Sequence, residues 1–118
     1  MSESPSLYAS GTSSQSVSST PTILSAPNVA GLFSFHMDLN ALAAGDVLEV
    51  YLYRIILHSG TSRVESLLGR FIGVQPALAL IASWSGIGND LTDTNSLQFG
   101  IAQLEGTARA LPWKVLQY

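Results

Sequence analysis

Three residue types that together perform acyl transfer lie close in the chain: Ser34, His36 and Asp38. The alternation Leu32-Phe33-Ser34-Phe35-His36-Met37-Asp38-Leu39 puts them on one face of a strand, with Phe33, Phe35, Met37 and Leu39 on the other. Same-face neighbours on a strand stand about 6.6 Å apart, whereas a nucleophile and its base must meet within about 3.2 Å. Consecutive strand positions also offer no oxyanion hole around a reacting carbonyl. The spacing argues against a hydrolase triad and reads as a solvated or interface-facing stripe in which His36 pairs with Asp38.

Other chemistry is weaker still. Asp90, Asp93, Asn89 and Asn95 hold oxygens suited to calcium, but NDLTDTN lacks the ligand spacing and closing glutamate of an EF-hand. Asn and Asp serve turn geometry far more often. Two isolated histidines without cysteine do not make a zinc site. Gly86-Ile87-Gly88 leads into Asn-Asp with no phosphate-loop lysine, so it is no nucleotide motif. Arg109 is expected to stack on Trp113 or pair with Glu105 as a structural residue. Trp84, Trp113, Tyr51 and Tyr53 are the aromatics that a sugar platform would use, although burial in a sandwich core is their commoner fate. No catalytic residue, cofactor or metal is expected.

Composition narrows the class. Of 118 residues, 47% are hydrophobic and 11% charged, against about 25% charged in ordinary soluble domains. Such a chain is too apolar to be disordered. A net charge of −3 with five basic residues gives no footprint for nucleic acid, and no run approaches the roughly 18 apolar residues of a membrane helix. Absence of cysteine excludes disulfides and thiolate chemistry. The start, MSESPSLYASG, has neither the basic nor the apolar region of a secretory signal, so synthesis in the cytosol is expected. So low a charge marks surface intended for contact, because solitary domains keep about 25–35% of their surface charged.

The elements that position these residues have period two. Asp46–Leu57 is the strongest strand, with both faces partly apolar: Val47/Glu49/Tyr51/Tyr53/Ile55 and Leu48/Val50/Leu52/Arg54/Ile56. That suits a strand covered on both sides, or on one side with a subunit contact on the other. His58-Ser59-Gly60-Thr61 reads as a hairpin turn into Ser62–Ile72. Gln75–Ser83 reads as a strand, Ser85–Asp90 as a loop, Asn95–Leu104 as a strand with Leu97, Phe99 and Ile101 inward, and Thr107–Gln117 as its return. Leu39–Ala44 is a connecting turn. Six or seven strands at this spacing predict an all-β antiparallel sandwich, jelly-roll-like, over residues 23–118. Residues 1–22 read as an extended Ser/Thr-rich arm, with nine serines in the first twenty residues and no charge between Glu3 and Asp38. Such an arm has little of its own to bury. Either a neighbouring chain holds it, through Gln15, Val17 and Ile23, or Gln15–Thr22 is an edge strand of the domain.

The most individual stretch is Leu97–Val115, where Phe99, Gln103, Gly106, Thr107, Arg109, Pro112, Trp113 and Val115 form a pattern F-x-x-x-Q-x-x-G-T-x-R-x-x-P-W-x-V. Upstream stands D-L-x-x-L-x-x-G-D, here Asp38 to Asp46. Together they resemble a group of small tailed-bacteriophage proteins over roughly residues 30–116. Glu105 and Leu111 depart from the group's pattern. The resemblance implies a virion structural protein, foremost a capsid decoration (cement) protein with a β-sandwich or jelly-roll fold. It would form a homotrimer or other homo-oligomer on the major capsid protein lattice, at the capsid surface, after synthesis in the bacterial host cytoplasm. A carbohydrate- or receptor-binding fibre module using Trp84 or the Ser85–Asp93 loop, and a head–tail connector component, are the alternatives. The motif also has a physical reading of its own. Gly106 supplies a turn with φ > 0, Thr107 bonds turn backbone and Gln103 satisfies buried carbonyls. Pro112 marks an edge or bulge where Trp113 is aimed into one end of the sandwich. These are folding roles.

Overall fold

Alternating apolar and polar residues build strands whose apolar halves face each other. The computed structural model describes residues 6–13, 16–27, 29, 31–54, 63–89 and 97–118. Among these it has eight strands: β1 (Ser6–Thr12), β2 (Thr22–Ser25), β3 (Gly31–Asp38), β4 (Val47–Arg54), β5 (Arg63–Ile72), β6 (Ile81–Asn89), β7 (Leu97–Glu105) and β8 (Pro112–Gln117). They form two four-stranded sheets of order β1-β8-β3-β6 and β2-β7-β4-β5, antiparallel in every pairing. The fold is the all-β antiparallel sandwich that the alternation predicts. Every connection changes sheet except the one from β4 to β5. The pairs β1·β8, β2·β7, β3·β6 and β4·β5 are all adjacent, as in a ribbon doubled back at β4–β5 and wrapped around a core.

That core is drawn from the inward positions of both sheets. β3 supplies Phe33, Phe35 and Met37, β4 supplies Leu48, Val50 and Leu52, β7 supplies Leu97, Phe99 and Ile101, and β8 supplies Val115, all buried. Leu39, Leu42 and Leu111 close it from the connections. The sheets meet at Phe35 and Phe99, whose rings stack 5.0 Å apart at 10°. Trp84 and Trp113 lie against the same Phe35, at 6.1 and 6.3 Å. Both indoles pack on the core and form no open platform. Gly11 makes this crossing close: a Cβ on it would sit 3.1 Å from the Trp113 ring, so a larger residue would need the indole to give way by a few tenths of an ångström.

Several expected boundaries move. The serine-rich segment supplies β1, paired along β8 from Ser6↔Gln117 to Thr12↔Pro112, and β2, which begins at Thr22 rather than spanning Gln15–Thr22. Backbone hydrogen bonds need no apolar side chain, which is why composition hides such an edge strand. The strand expected at Gln75–Ser83 is strand only from Ile81; before it stands a 3-10 turn at Ala77–Ala79, where Pro76 has no N–H to give a ladder. The expected loop from Ser85 is instead strand as far as Asn89. The β3–β6 register shifts between Phe33 and Phe35, opposite Ile87 and Trp84, and such an irregularity accommodates Gly86 in an edge strand. Pro112 begins β8, an inner strand, and its β3 pairing starts only at Trp113, so the missing N–H interrupts nothing there. The hairpin at His58–Thr61 lies outside the described residues.

Replacing Phe35 by Ala is expected to cost about 3–5 kcal/mol, seen as a lower urea midpoint with an unchanged slope. Trp113→Ala, which removes a half-buried ring, is expected to cost less. The reverse order in urea denaturation would place the centre of the core elsewhere.

Candidate functional site

Among the described residues, polar side chains gather in a buried network at the start of β4, in a groove on the outer face of the sheet β1-β8-β3-β6, and around Glu49 on the outer face of the other sheet.

The network centres on Asp46, which is fully buried. The turn before β4 folds back so that Ala43 N–H donates to its Oδ2 at 2.8 Å. Arg109 Nε donates to the same oxygen at 2.7 Å and its Nη2 to Oδ1 at 3.4 Å. Thr107 N–H donates to Oδ1 at 3.1 Å. The hydrogen bond from Arg109 is the largest cause that holds the Asp46 carboxyl below the usual range, outweighing burial, with the two backbone N–H groups and the arginine charge adding to it. Gln103, also buried, keeps the loop in place. Its Nε2 donates to the carbonyls of Thr107 at 2.5 Å and Glu105 at 3.3 Å, and its Oε1 accepts from Arg109 N–H at 3.0 Å. Ser13 ties in the end of β1, donating from Oγ to Arg109 O at 3.3 Å and accepting from Leu111 N–H at 3.0 Å. Gly106 takes φ +93°, and a Cβ there would fall 2.7 Å from the Cα of Asp46.

The structure thus brings Gln103, Gly106, Thr107 and Arg109 together, while Pro112 and Trp113 belong to β8. Two expectations change. Arg109 neither pairs with Glu105 nor stacks on Trp113; it turns to Asp46, because a carboxylate out of water requires a countercharge and the exposed Glu105 does not. Thr107 acts through its backbone. Asp46 and Ser13 were not singled out by motif reasoning. The available signal for Asp46 was its place as the last residue of D-L-x-x-L-x-x-G-D. Four hydrogen bonds occupy the roughly four lone-pair sites of a carboxylate, so Asp46 holds the fold and has no acceptor left for a substrate.

The groove, about 620 Å³, is lined by His36, Asp38, Ile81, Pro112 and Lys114 among others. Here the spacing estimate for Ser34 and His36 is corrected: Ser34 Oγ and His36 Nε2 lie 2.8 Å apart, because two side chains can lean together across a longer backbone interval. Ser34 Oγ also meets the Tyr118 hydroxyl at 3.3 Å. Ser34 is fully buried, so its hydroxyl orients the imidazole and is closed to a substrate. His36 is half-buried, and burial, then the charge of Lys114, lowers its pKa. Asp38 does not pair with His36; its Oδ1 accepts from Asn40 N–H at 2.9 Å.

On the outer face of the other sheet Tyr51 donates its hydroxyl to Glu49, which also faces Arg70 at 3.7 Å. That hydrogen bond, then burial and the Glu49 charge, pushes Tyr51 up to about 12. Tyr53 lies beside it, ring centroids 6.1 Å apart. Of the arm residues, Val17 and Ile23 are exposed, Ile23 opposite Gly100 in the β2–β7 pairing; Gln15 lies outside the described residues. So do Asp90, Asp93 and Asn95, and among the described residues no cluster of His, Asp or Glu could hold a metal. Comparison with protein-family profiles, curated proteins and solved structures finds no match.

Because the Asp46 carboxyl is lowered in the fold, its contribution is complete above the ordinary carboxylate value and is lost as pH falls through the lowered one. Asp46→Asn is therefore expected to cost about 3 kcal/mol at pH 7, with the deficit shrinking below about pH 4. Gly106→Ala, strained and in collision with Asp46, is expected to cost about 2–3 kcal/mol at either pH. Chemical denaturation of the three proteins at both pH values checks this. A pH-independent Asp46→Asn deficit would contradict the ionised pair.

Proposed function

We propose that the chain is a virion structural protein of a tailed bacteriophage, a capsid decoration (cement) protein that stabilises the head by protein–protein burial. The observation that carries this reading is an uncharged apolar projection between β5 and β6. No Asp, Glu, Lys or Arg occurs between Arg70 and Asp90. Within that interval Ile72 is 65% exposed, Val74 70%, Leu78 102% and Ile81 62%. Four large aliphatic side chains clustered in one segment of surface are what a contact surface needs and a solitary domain avoids.

The wrapped ribbon supports the reading. We take it as the jelly-roll arrangement, an architecture used by capsid and lectin domains; fold alone assigns no function. The motif residues have structural work in the Asp46 network, in keeping with a non-enzymatic role. Exposed Val17 and Ile23 give the N-terminal segment its own surface for a neighbour. On this reading the partner is the major capsid protein lattice, the protein is a homotrimer or other homo-oligomer at the capsid surface, and neither nucleic acid nor membrane is bound.

Undecorated heads mixed with the purified chain are expected to bind it and to resist heating better for doing so. Val74→Glu/Leu78→Glu is expected to lose at least about ten-fold in head binding, since a buried unpaired charge opposes association, while its own melting temperature stays unchanged. Full-affinity binding by this variant, or none by the native chain, would contradict the reading.

A further inference from the structure

The groove on the outer face of the sheet β1-β8-β3-β6 borders the apolar projection only at Ile81, and the chemistry of its other lining residues is specific. His36 and Lys114 are direct partners across the β3–β8 ladder, which sets their Cβ atoms about 4.5–5.5 Å apart. The imidazole is fixed from behind, Nε2 on Ser34 Oγ at 2.8 Å and Ser34 on Tyr118, so Nδ1 is the ring nitrogen that remains for a ligand. An oriented imidazole beside an ammonium forms a pair of donors for the two oxygens of a carboxylate. Asp38 follows on the same strand face, about 6.6 Å further along. Its Oδ1 takes the Asn40 amide, and Oδ2 is an acceptor for hydroxyl groups. Exposed Ile81 and Pro112 add apolar surface at the rim.

We propose that this groove binds a sugar acid, a pyranose carrying a carboxylate. The carboxylate meets His36 and Lys114, ring hydroxyls donate to Asp38, and the C–H face of the ring lies on Ile81 and Pro112. A bare inorganic anion uses the donors but is repelled by Asp38, and a neutral sugar leaves Lys114 unanswered. A ligand with a carboxylate at one end and hydroxyl donors at the other uses the whole set. The volume of about 620 Å³ lies within the roughly 300–1,000 Å³ usual for small-molecule sites. The site stands whether or not the chain decorates a capsid.

The test titrates the isotope-labelled full chain with D-glucuronate, D-glucose and inorganic phosphate, following backbone amides by NMR. Glucuronate is expected to shift His36, Ile81 and Lys114 saturably and to bind at least about ten-fold more tightly than glucose, which lacks the charge-assisted contact, and than phosphate, which lacks an apolar face and is repelled by Asp38. Lys114→Met and His36→Gln are expected to weaken glucuronate binding about five-fold or more with the melting temperature unchanged. Equal binding of phosphate, equal binding of glucose, no saturable shift, or undiminished binding by Lys114→Met would each overturn the proposal.

Discussion

A carboxylate shut away from water has to be answered by donors, and the closure of this fold follows from how Asp46 is answered. Its partners Thr107 and Arg109 come from 61 and 63 residues further along the chain. They reach it because β4 begins beside the end of β7, Val47 opposite Glu105. Gln103 holds that loop to its own carbonyls, and Ser13 brings in the end of β1. The entry to β4, the β7–β8 connection and the N-terminal edge strand thus meet at one charged pair. Breaking it would leave a charge uncompensated in the interior, which costs more than the intact pair contributes.

Interior closure of this kind bears on the surface. With Arg109 spent on Asp46 and Arg70 facing Glu49, part of a small store of charge is committed to the chain's own structure. The segment from Phe71 to Asn89 has none, and it includes the three most exposed aliphatic side chains among the described residues, Leu78, Val74 and Ile72. Stability therefore resides inside the sandwich and at its loop network, while the outer surface presents an apolar projection after β5 and a groove lined by His36, Lys114 and Asp38 among others.

Strands with one apolar face were legible from alternation alone. Phe33, Phe35 and Met37, or Leu97, Phe99 and Ile101, are inward in the sequence pattern and buried in the fold. β1 was not legible, since Ser6–Thr12 is held by backbone bonds and by Gly11 passing over Trp113, neither of which leaves an apolar pattern. Ser85–Asn89 was hidden for the opposite reason: glycine and asparagine signal a loop locally, but pairing with β3 overrides them. In the network, Gly106 and Gln103 were readable because turn geometry and amide chemistry are local. The Arg109–Asp46 pair was not, because choosing between Glu105 and Asp46 requires knowing which carboxylate is buried. The Ser34–His36 contact escaped because strand spacing is set by backbone, whereas the distance that matters is set by side-chain lean.

On the proposed reading this chain works as a non-enzymatic part of an assembled particle, with the apolar projection as its contact. Cryo-EM of tailed-phage heads mixed with the chain is the decisive measurement. The expected map shows density for the sandwich repeated on the icosahedral head lattice, with Ile72, Val74 and Leu78 turned onto a neighbouring subunit. A head bare of the chain, or a lattice-bound sandwich with that segment facing solvent, would contradict it.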